Sequence, residues 1–431
     1  MKVKTKVGCC LLAVSACLLA AAGEATERKL YLDEFRDRME GAWLGQSFGV
    51  VYGRPTELKH VESIIPEKEL PVWSFEKMNE TFEEDDLYVE MTFLRTLETR
   101  GIGVSCRLAG IDFANSSYTV WAANSNARNN IRRGIAAPSS SHPKNHPTPD
   151  DIDYQIEADF SGIISPGMPQ RAVAFGEQFG RIMNYGDGLY AGQFVGGMYA
   201  EAYFEKDRVK TVEAGLKCIP PESKYAQMVR DMLAWYKADP KNWQAAWTNA
   251  VEKYGRKTSP MLGKASAHFV DVKINGAMVL LGYLWGEGDV MKTAVIATRG
   301  GYDSDCNPSS AAGVLGAQLG AKGLGAEFKR HLSMTNKWTF TEYDWPALMR
   351  VCEKLARQLV VAEGGRIGRD AKGEYFAIAR KPVVPSRVVD SLKPGPGGDE
   401  RLTAAEEASL LYLPCKKHGE RSVPRCQGAK P

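Results

Sequence analysis

The strongest constraint in this sequence is a set of glycines repeating inside segments with helical hydrophobic spacing. Between Leu30 and Phe48, Leu32, Phe35, Met39, Trp43 and Leu44 recur at intervals of three, four and one, which gives a broad apolar helix face. Gly41, Gly45 and Gly49 share that segment; Gly192, Gly196 and Gly197 recur in a second, and Gly313, Gly316 and Gly320 in a third. An interior glycine costs a helix about 1 kcal/mol relative to alanine. Its repeated use therefore predicts helices whose backbones approach closely. The same periodicity predicts helices over 86–99, 170–184, 189–205, 209–216, 222–238, 241–254, 274–286, 289–298, 308–319 and 345–362. Alternating β patterns are nearly absent before residue 370, so the expected fold class is all-α. We expect one compact helical domain over 28–365 and a C-terminal extension over 366–431. The extension reads as a short strand or hairpin at Glu374–Ala379 and Val383–Val384, then a Pro/Gly-rich tail with one helix near Ala404–Leu411 that wraps the domain. The four prolines between Ala136 and Asp151 predict a long exposed loop.

Lys2, Lys4 and Lys6 precede an apolar run that ends in Ala20-Ala21-Ala22-Gly23, the layout of a cleaved export signal over 1–22. Val14-Ser15-Ala16-Cys17 also has the form of a lipobox, an alternative in which Cys17 carries a lipid anchor. Either form places the protein in the periplasm or outside the cell. No later stretch has the roughly 20 apolar residues of a transmembrane helix. Without the three leader lysines, the 55 Lys and Arg fall to 52, matching 52 Asp and Glu. A balanced chain has no general attraction for nucleic acid or anionic lipid. The partner is then a small molecule or a glycan. Cys415 and Cys426 are close enough in sequence to bond in an oxidising compartment.

Three acidic clusters carry the chemistry. Glu83-Glu84-Asp85-Asp86 opens a helix, with Thr81 and Glu84 spaced as a capping box. Asp150-Asp151-Ile152-Asp153, with Glu157 and Asp159, ends the Pro-rich loop. Asp303-Ser304-Asp305-Cys306 follows Gly300-Gly301 and precedes Asn307-Pro308, a good N-cap and first-turn pair. Each cluster alone reads as capping or as a solvated face. Carboxylates converging from two helix starts, however, repel unless a cation lies between them. All-oxygen ligands suit Mg²⁺, Mn²⁺ or Ca²⁺. Asp151, Asp153, Glu157 and Asp159 are the candidates for acid/base work. Tyr118, Trp121, Tyr185, Tyr190 and Tyr302 are candidates to stack on a sugar face, and Asn129 and Asn130 to bind hydroxyls. There is no P-loop or strand-borne GxGxxG; the G-x-S-x-G run Gly45-Gln46-Ser47-Phe48-Gly49 lies inside the first helical segment and so forms no strand-to-helix elbow, and the His142/His146 spacing lies among prolines that prevent a helical zinc pair.

These motifs resemble the ADP-ribosylglycohydrolase family. Gly41 through Gly49, with Glu57 after it, resembles that family's G-x-x-x-G-D-x-x-G helix and its following glutamate. Glu84-Asp85-Asp86-Leu87 falls where the family has T-D-D-T, and Gly300 to Cys306 resembles G-G-D-x-D-T with one residue inserted. The likeness spans roughly 30–365. It implies a compact all-α fold with two Mg²⁺ ions in a cleft, and hydrolysis at the anomeric carbon of an ADP-ribosyl group. It implies metal roles for Glu84, Asp85, Asp86, Asp303 and Asp305, with Glu57 as a further ligand or gate. The departures are Glu84, Leu87 and Cys306 in place of threonines. A thiol is a poor Mg²⁺ ligand, so either Cys306 faces away or the metal differs. Where the family's small residues approach a diphosphate, this chain has an acidic turn from Asp153 to Asp159, which repels one. That difference and export favour a neutral furanoside, as in a polysaccharide; a silent sugar- or metal-binding member is the other alternative. Tyr302, inserted in the late motif, is expected to point into the cleft with Trp121 and Asn130 as substrate contacts.

Overall fold

The computed structural model describes residues 27–255, 268–413 and 423–424. The leader over 1–22 with Cys17, and the Cys415/Cys426 pair, lie outside the described residues. Strand β1 (Arg28–Tyr31) runs straight into helix α1 (Leu32–Gly53), which is buried on every side from Gly41 to Gly53. A helix wrapped all round by protein is a central strut. Helices α2 (Asp85–Arg100), α3 (Cys106–Ala114) and α4 (Ala122–Arg132), and the short turns α5 (Asp153–Ile156) and α6 (Asp159–Ile163), pack on one another, α2 on α3 and α6, α3 on α4, and α4 on α5. The helices Asp187–Ala202, Val272–Trp285, Val290–Arg299 and Cys306–Leu324 complete the core, and Trp345–Ala362 packs on α1 and α2. No helix of the described residues is long and apolar enough to cross a membrane.

The glycine repeats do what their spacing predicts. A Cβ at Gly45 would lie 2.2 Å from the Ala312 carbonyl oxygen, one at Gly49 2.2 Å from that of Pro308, and one at Gly53 1.8 Å from that of Ser304. Numbers rise along α1 as they fall along Cys306–Leu324, so the two helices run antiparallel in backbone contact. This contact sets the C-terminal end of α1 against the start of the late helix.

Four expectations need correction. The segment over 170–184 is Pro169–Phe175 and Arg181–Met183 with a π-type turn at Gly176–Gly180 between them. Helices α3 and α4 escape the periodicity reading; α4 is mostly polar, and its apolar stripe is only Ala123, Ala127 and Ile131. The loop over 136–151 is not exposed: Ser139, Ser140, Ser141, His142, His146 and Thr148 are all buried. The C-terminal tail straps it down, with Ala136 N–H donating to Glu400 O (3.0 Å) and Asn145 Nδ2 to Gly398 O (2.7 Å). The fourth concerns strands. The expected hairpin is β3 (Gly373–Ile378) paired with β2 (Arg366–Asp370), and β1 adds to its other edge to give the antiparallel order β1-β3-β2. Val383–Val384 belongs to no strand. The tail helix is Ala404–Ala408, closed by a full Thr403/Glu406 capping box.

Candidate metal and acid/base site

The end of α1 and the start of the late helix are stitched together by backbone. Tyr302 N–H donates to His60 O at 2.8 Å and Leu58 N–H to Tyr302 O at 3.1 Å. Thr56 Oγ1 meets Ser304 Oγ at 2.9 Å. Asn275 Oδ1 accepts from Asp303 N–H (3.2 Å) and from Asn307 Nδ2 (2.9 Å), fixing the turn that presents the carboxylates. Tyr302 sits at φ 61°, a conformation a bulky residue adopts only when its surroundings impose it. The late helix starts two residues earlier than Asn307-Pro308 suggests. Asp305 is its N-cap and accepts from Cys306 N–H at 3.0 Å.

Ligating atoms of Asp303, Asp305 and Cys306 all lie within 4.8 Å of one another. Cys306 Sγ also lies 3.3 Å from Asp86 Oδ1, so residues more than two hundred positions apart meet at one point. Burial and the mutual charges of Asp85, Asp303 and Asp305 push Asp86 well above the usual carboxyl range. Burial, then Asp303 and Asp85, does the same to Asp305. Glu57 is raised to about 7, chiefly by burial, then by Asp305, Asp85 and Glu84. Asp86 Oδ2 and Asp303 Oδ1 are buried with no hydrogen-bond partner among the described residues. Bare carboxylate oxygens that repel one another fit a hard divalent cation, which would satisfy both costs at once. Asp85, Asp86, Asp303 and Asp305, with Glu57 beside them, form the set that fits it.

The departures from the family pattern have physical partners. Glu84 is not left as surplus charge: Arg54 Nη1 binds its Oε1 at 2.5 Å. Burial still lifts Glu84 to about 7, against the pull of Arg54. Its carboxylate is thus directed to a guanidinium. Thr81 and Glu84 do not form a capping box; Glu84 is the N-cap residue of α2 without a side-chain bond, and Thr81 Oγ1 has no partner among the described residues. Cys306 does not face away. Burial and the surrounding aspartates raise its thiol, which keeps its proton and points at Asp86.

The second set of acids sits on the N-terminus of α4, whose first N–H groups have no helical partners. Asp151 Oδ2 accepts from Ala123 N–H and Asp153 Oδ2 from Asn124 N–H, both at 2.5 Å, while Asn124 Nδ2 donates to Glu157 Oε1. Glu157 Oε2 and Asn124 Oδ1 are buried and unpartnered among the described residues. Burial first raises Asp153 and Glu157 well above the usual range, helped at Asp153 by Asp151, Glu157 and Asp85 and at Glu157 by Asp85, Glu90 and Asp151. Asp85 therefore couples this set to the metal set. Asp151 is lifted to about 7 by burial. Asp159 goes elsewhere: it is fully buried, held by Tyr199 Oη (2.7 Å), Gln46 Nε2 (3.1 Å) and Ser310 Oγ, and coupled to Glu90. Asp159 is thereby separated from the acid/base candidates.

Tyr302 is fully buried, with its hydroxyl reaching Gly255, so its ring is closed to solvent instead of lining an open cleft. Asn130 is occupied structurally, its Nδ2 donating to Ser140 O and Asn145 O, both at 2.9 Å. Trp121 is 65% exposed at the residue preceding α4. Sequence reasoning missed Arg54, Asn124 and Asn275. Of these, only Arg54 carried a signal, as a cation three residues before Glu57.

Among solved structures, a chain described as an ADP-ribosylglycohydrolase-related protein complex aligns with 18% identity and a TM-score of 0.43, over 75% of this chain and 97% of that one. A search of curated proteins returns no match. The ADP-ribosylglycohydrolase family model matches residues 32–365, which contain the helical core and all the acids described above, and the chain belongs to that family.

Proposed function

We propose that the protein is a divalent-cation-dependent glycohydrolase that cleaves at the anomeric carbon of a neutral furanosyl group. The observation that carries this reading is the convergence of Asp86 and Asp303, each with a bare buried oxygen, beside Asp85 and Asp305. When bound there, Mg²⁺ or Mn²⁺ supplies Lewis acidity toward sugar hydroxyls and lowers the pKa of a bound water. The chain's own residues supply the proton. Asp153 and Glu157, both shifted upward by burial, are the groups placed to carry a proton to the leaving oxygen. Asn124 orients both, through its N–H and its side-chain amide.

A neutral substrate is favoured over ADP-ribose because the site is lined with carboxylates and its flanking cation, Arg54, is already paired with Glu84. The leader expected over 1–22 places the reaction in the periplasm or outside the cell. The thiol at Cys306 favours a second reading, a silent sugar binder.

The test is hydrolysis of aryl furanosides and of ADP-ribosylated peptides before and after EDTA. Chelation should abolish furanoside cleavage, Mg²⁺ or Mn²⁺ should restore it, and Asp153→Asn should lower turnover by about 10²–10⁴-fold. Cleavage indifferent to chelation overturns the metal mechanism, and sugar binding without turnover selects the silent reading.

A further inference from the structure

A groove with a volume of about 420 Å³ runs along the outer face of α2, away from the acids. Its floor is Thr92, Thr96 and Thr99, and its walls include Ser117, Tyr118 and Phe340. Asp85, Tyr88, Thr92 and Thr96 follow at three- and four-residue intervals along one helix face, so the groove continues the line of the acidic site. Seven residues from Asp85 to Thr92 span about 10 Å at the helical rise, more than one sugar ring.

We propose that this groove is a subsite for a neutral oligosaccharide, holding the part of the chain that lies beyond the bond cleaved at the acids. The inference rests on the glycohydrolase reading above. Its first support is charge. The charged lining residues are Arg95, Asp112 and Glu342, and each already has a partner: Glu98 (3.1 Å), Arg100 (2.6 Å) and Lys337 (2.7 Å). A phosphate finds no free cation among them, whereas an uncharged ligand meets no unmatched charge.

The second support is hydroxyl chemistry. Thr92 Oγ1 donates to Tyr88 O, Thr96 Oγ1 to Asp112, Ser116 Oγ to Phe113 O and Thr341 Oγ1 to Trp338 O. With their protons directed into the protein, Thr92, Ser116 and Thr341 already accept from Tyr118 Oη, Arg128 Nη1 and Tyr343 N–H, and each oxygen keeps one further lone pair for a sugar hydroxyl.

The third support is Phe340. Among the described residues, Trp121 and Phe340 are the exposed aromatic side chains, and Phe340 is 59% exposed. Its ring meets Tyr88 edge-on at 5.5 Å and Tyr118 at 5.8 Å, between the groove and the acids. Its backbone is at φ 64°, unusual for a bulky side chain. Neighbouring Thr339 is fastened by N–H and Oγ1 to Phe82 O, two residues before Glu84. A rigid, presented aromatic next to a hydroxyl-lined groove is a stacking platform for a sugar ring.

The test uses the full chain with Mg²⁺ or Mn²⁺, an aryl arabinofuranoside, and linear arabinofuranosyl oligosaccharides from the disaccharide to the tetrasaccharide. Cleavage efficiency should rise with chain length. Phe340→Ala should cost about tenfold more on the tetrasaccharide than on the aryl glycoside. Ser117→Trp, at an exposed rim position, should block the groove with the same length dependence and an unaltered melting temperature. If the aryl furanoside is cleaved but length makes no difference, the subsite is overturned and the glycohydrolase reading stands. If nothing is cleaved, the glycohydrolase reading fails, and calorimetry with the tetrasaccharide decides the groove. Binding lost in both variants supports it, and no binding, or binding equal in all three proteins, overturns it.

Discussion

Two acidic groupings in this molecule face the same electrostatic problem and solve it differently. Asp150, Asp187 and Asp271 surround the buried Lys273, whose Nζ lies 3.0 Å from Asp271. Their charges hold the ammonium protonated against the cost of burial. Ser391 Oγ donates to Asp150 and Tyr225 N–H to Asp187, so the cluster is closed by protein groups. Through the Asp151–Asp271 bridge it adjoins the acid/base set. Among the described residues, the cleft carboxylates have no lysine beside them, and two of their oxygens are bare. A grouping that contains its own cation is a brace, whereas one that lacks it is built for a cation from solution. Glu90 and Asp159 show a third solution, in which a retained proton replaces the cation.

The largest expected effect tests the brace. Lys273→Met leaves the buried Asp271 and the half-buried Asp150 and Asp187 without their counter-charge and should cost roughly 3–5 kcal/mol in urea unfolding. Mg²⁺ should not restore it. Restoration by Mg²⁺ would show that the two groupings are interchangeable and break the comparison.

The proton-sharing pair gives the next effect. Burial lifts Asp159 from its ordinary 3.8 to about 8. The folded state thus keeps a proton that the unfolded chain releases. The stability this contributes is full below the ordinary value and is lost as pH rises toward 8, by at most about 1.4 kcal/mol per unit. Asp159→Asn should flatten that slope in melts between pH 5 and 8, conditions set by the shift just cited. An unchanged slope would show that the proton resides elsewhere.

The smallest effect sharpens the cleft itself. Cys306→Thr exchanges a thiol for a hydroxyl beside Asp86 and should tighten Mg²⁺ binding up to about tenfold, read by calorimetry. Stability without metal should change by less than about 1 kcal/mol. Weaker Mg²⁺ binding would mark the thiol as part of a site suited to a softer ion.

Periodicity made the long helices legible because each buries one continuous face, and the predicted segments from 189 to 298 lie within a few residues of the observed ones. The acidic motifs were legible because several carboxylates in a row are costly unless used. What was hidden depends on partners distant in sequence. Strand β1 is only four residues long and exists because β3 lies beside it. The loop over 136–151 reads as exposed until the tail covers it. Asp159 looks equivalent to Asp153 in sequence, and only the positions of Gln46, Tyr199 and Ser310 separate them. Tyr302 looked like a cleft residue because it interrupts a motif, yet its backbone is what the site uses.

The backbone contact between α1 and Cys306–Leu324 has a consequence for how this site can vary. With no room for a Cβ at Gly45, Gly49 or Gly53, substitution cannot widen or narrow the separation between Glu57 and Asp303 by small steps. Adapting to another ion or substrate must then proceed by exchanging which atoms line a gap of fixed gauge. Glu84 with its Arg54 counter-charge, and Cys306 against Asp86, are changes of that kind: new chemistry on unaltered spacing.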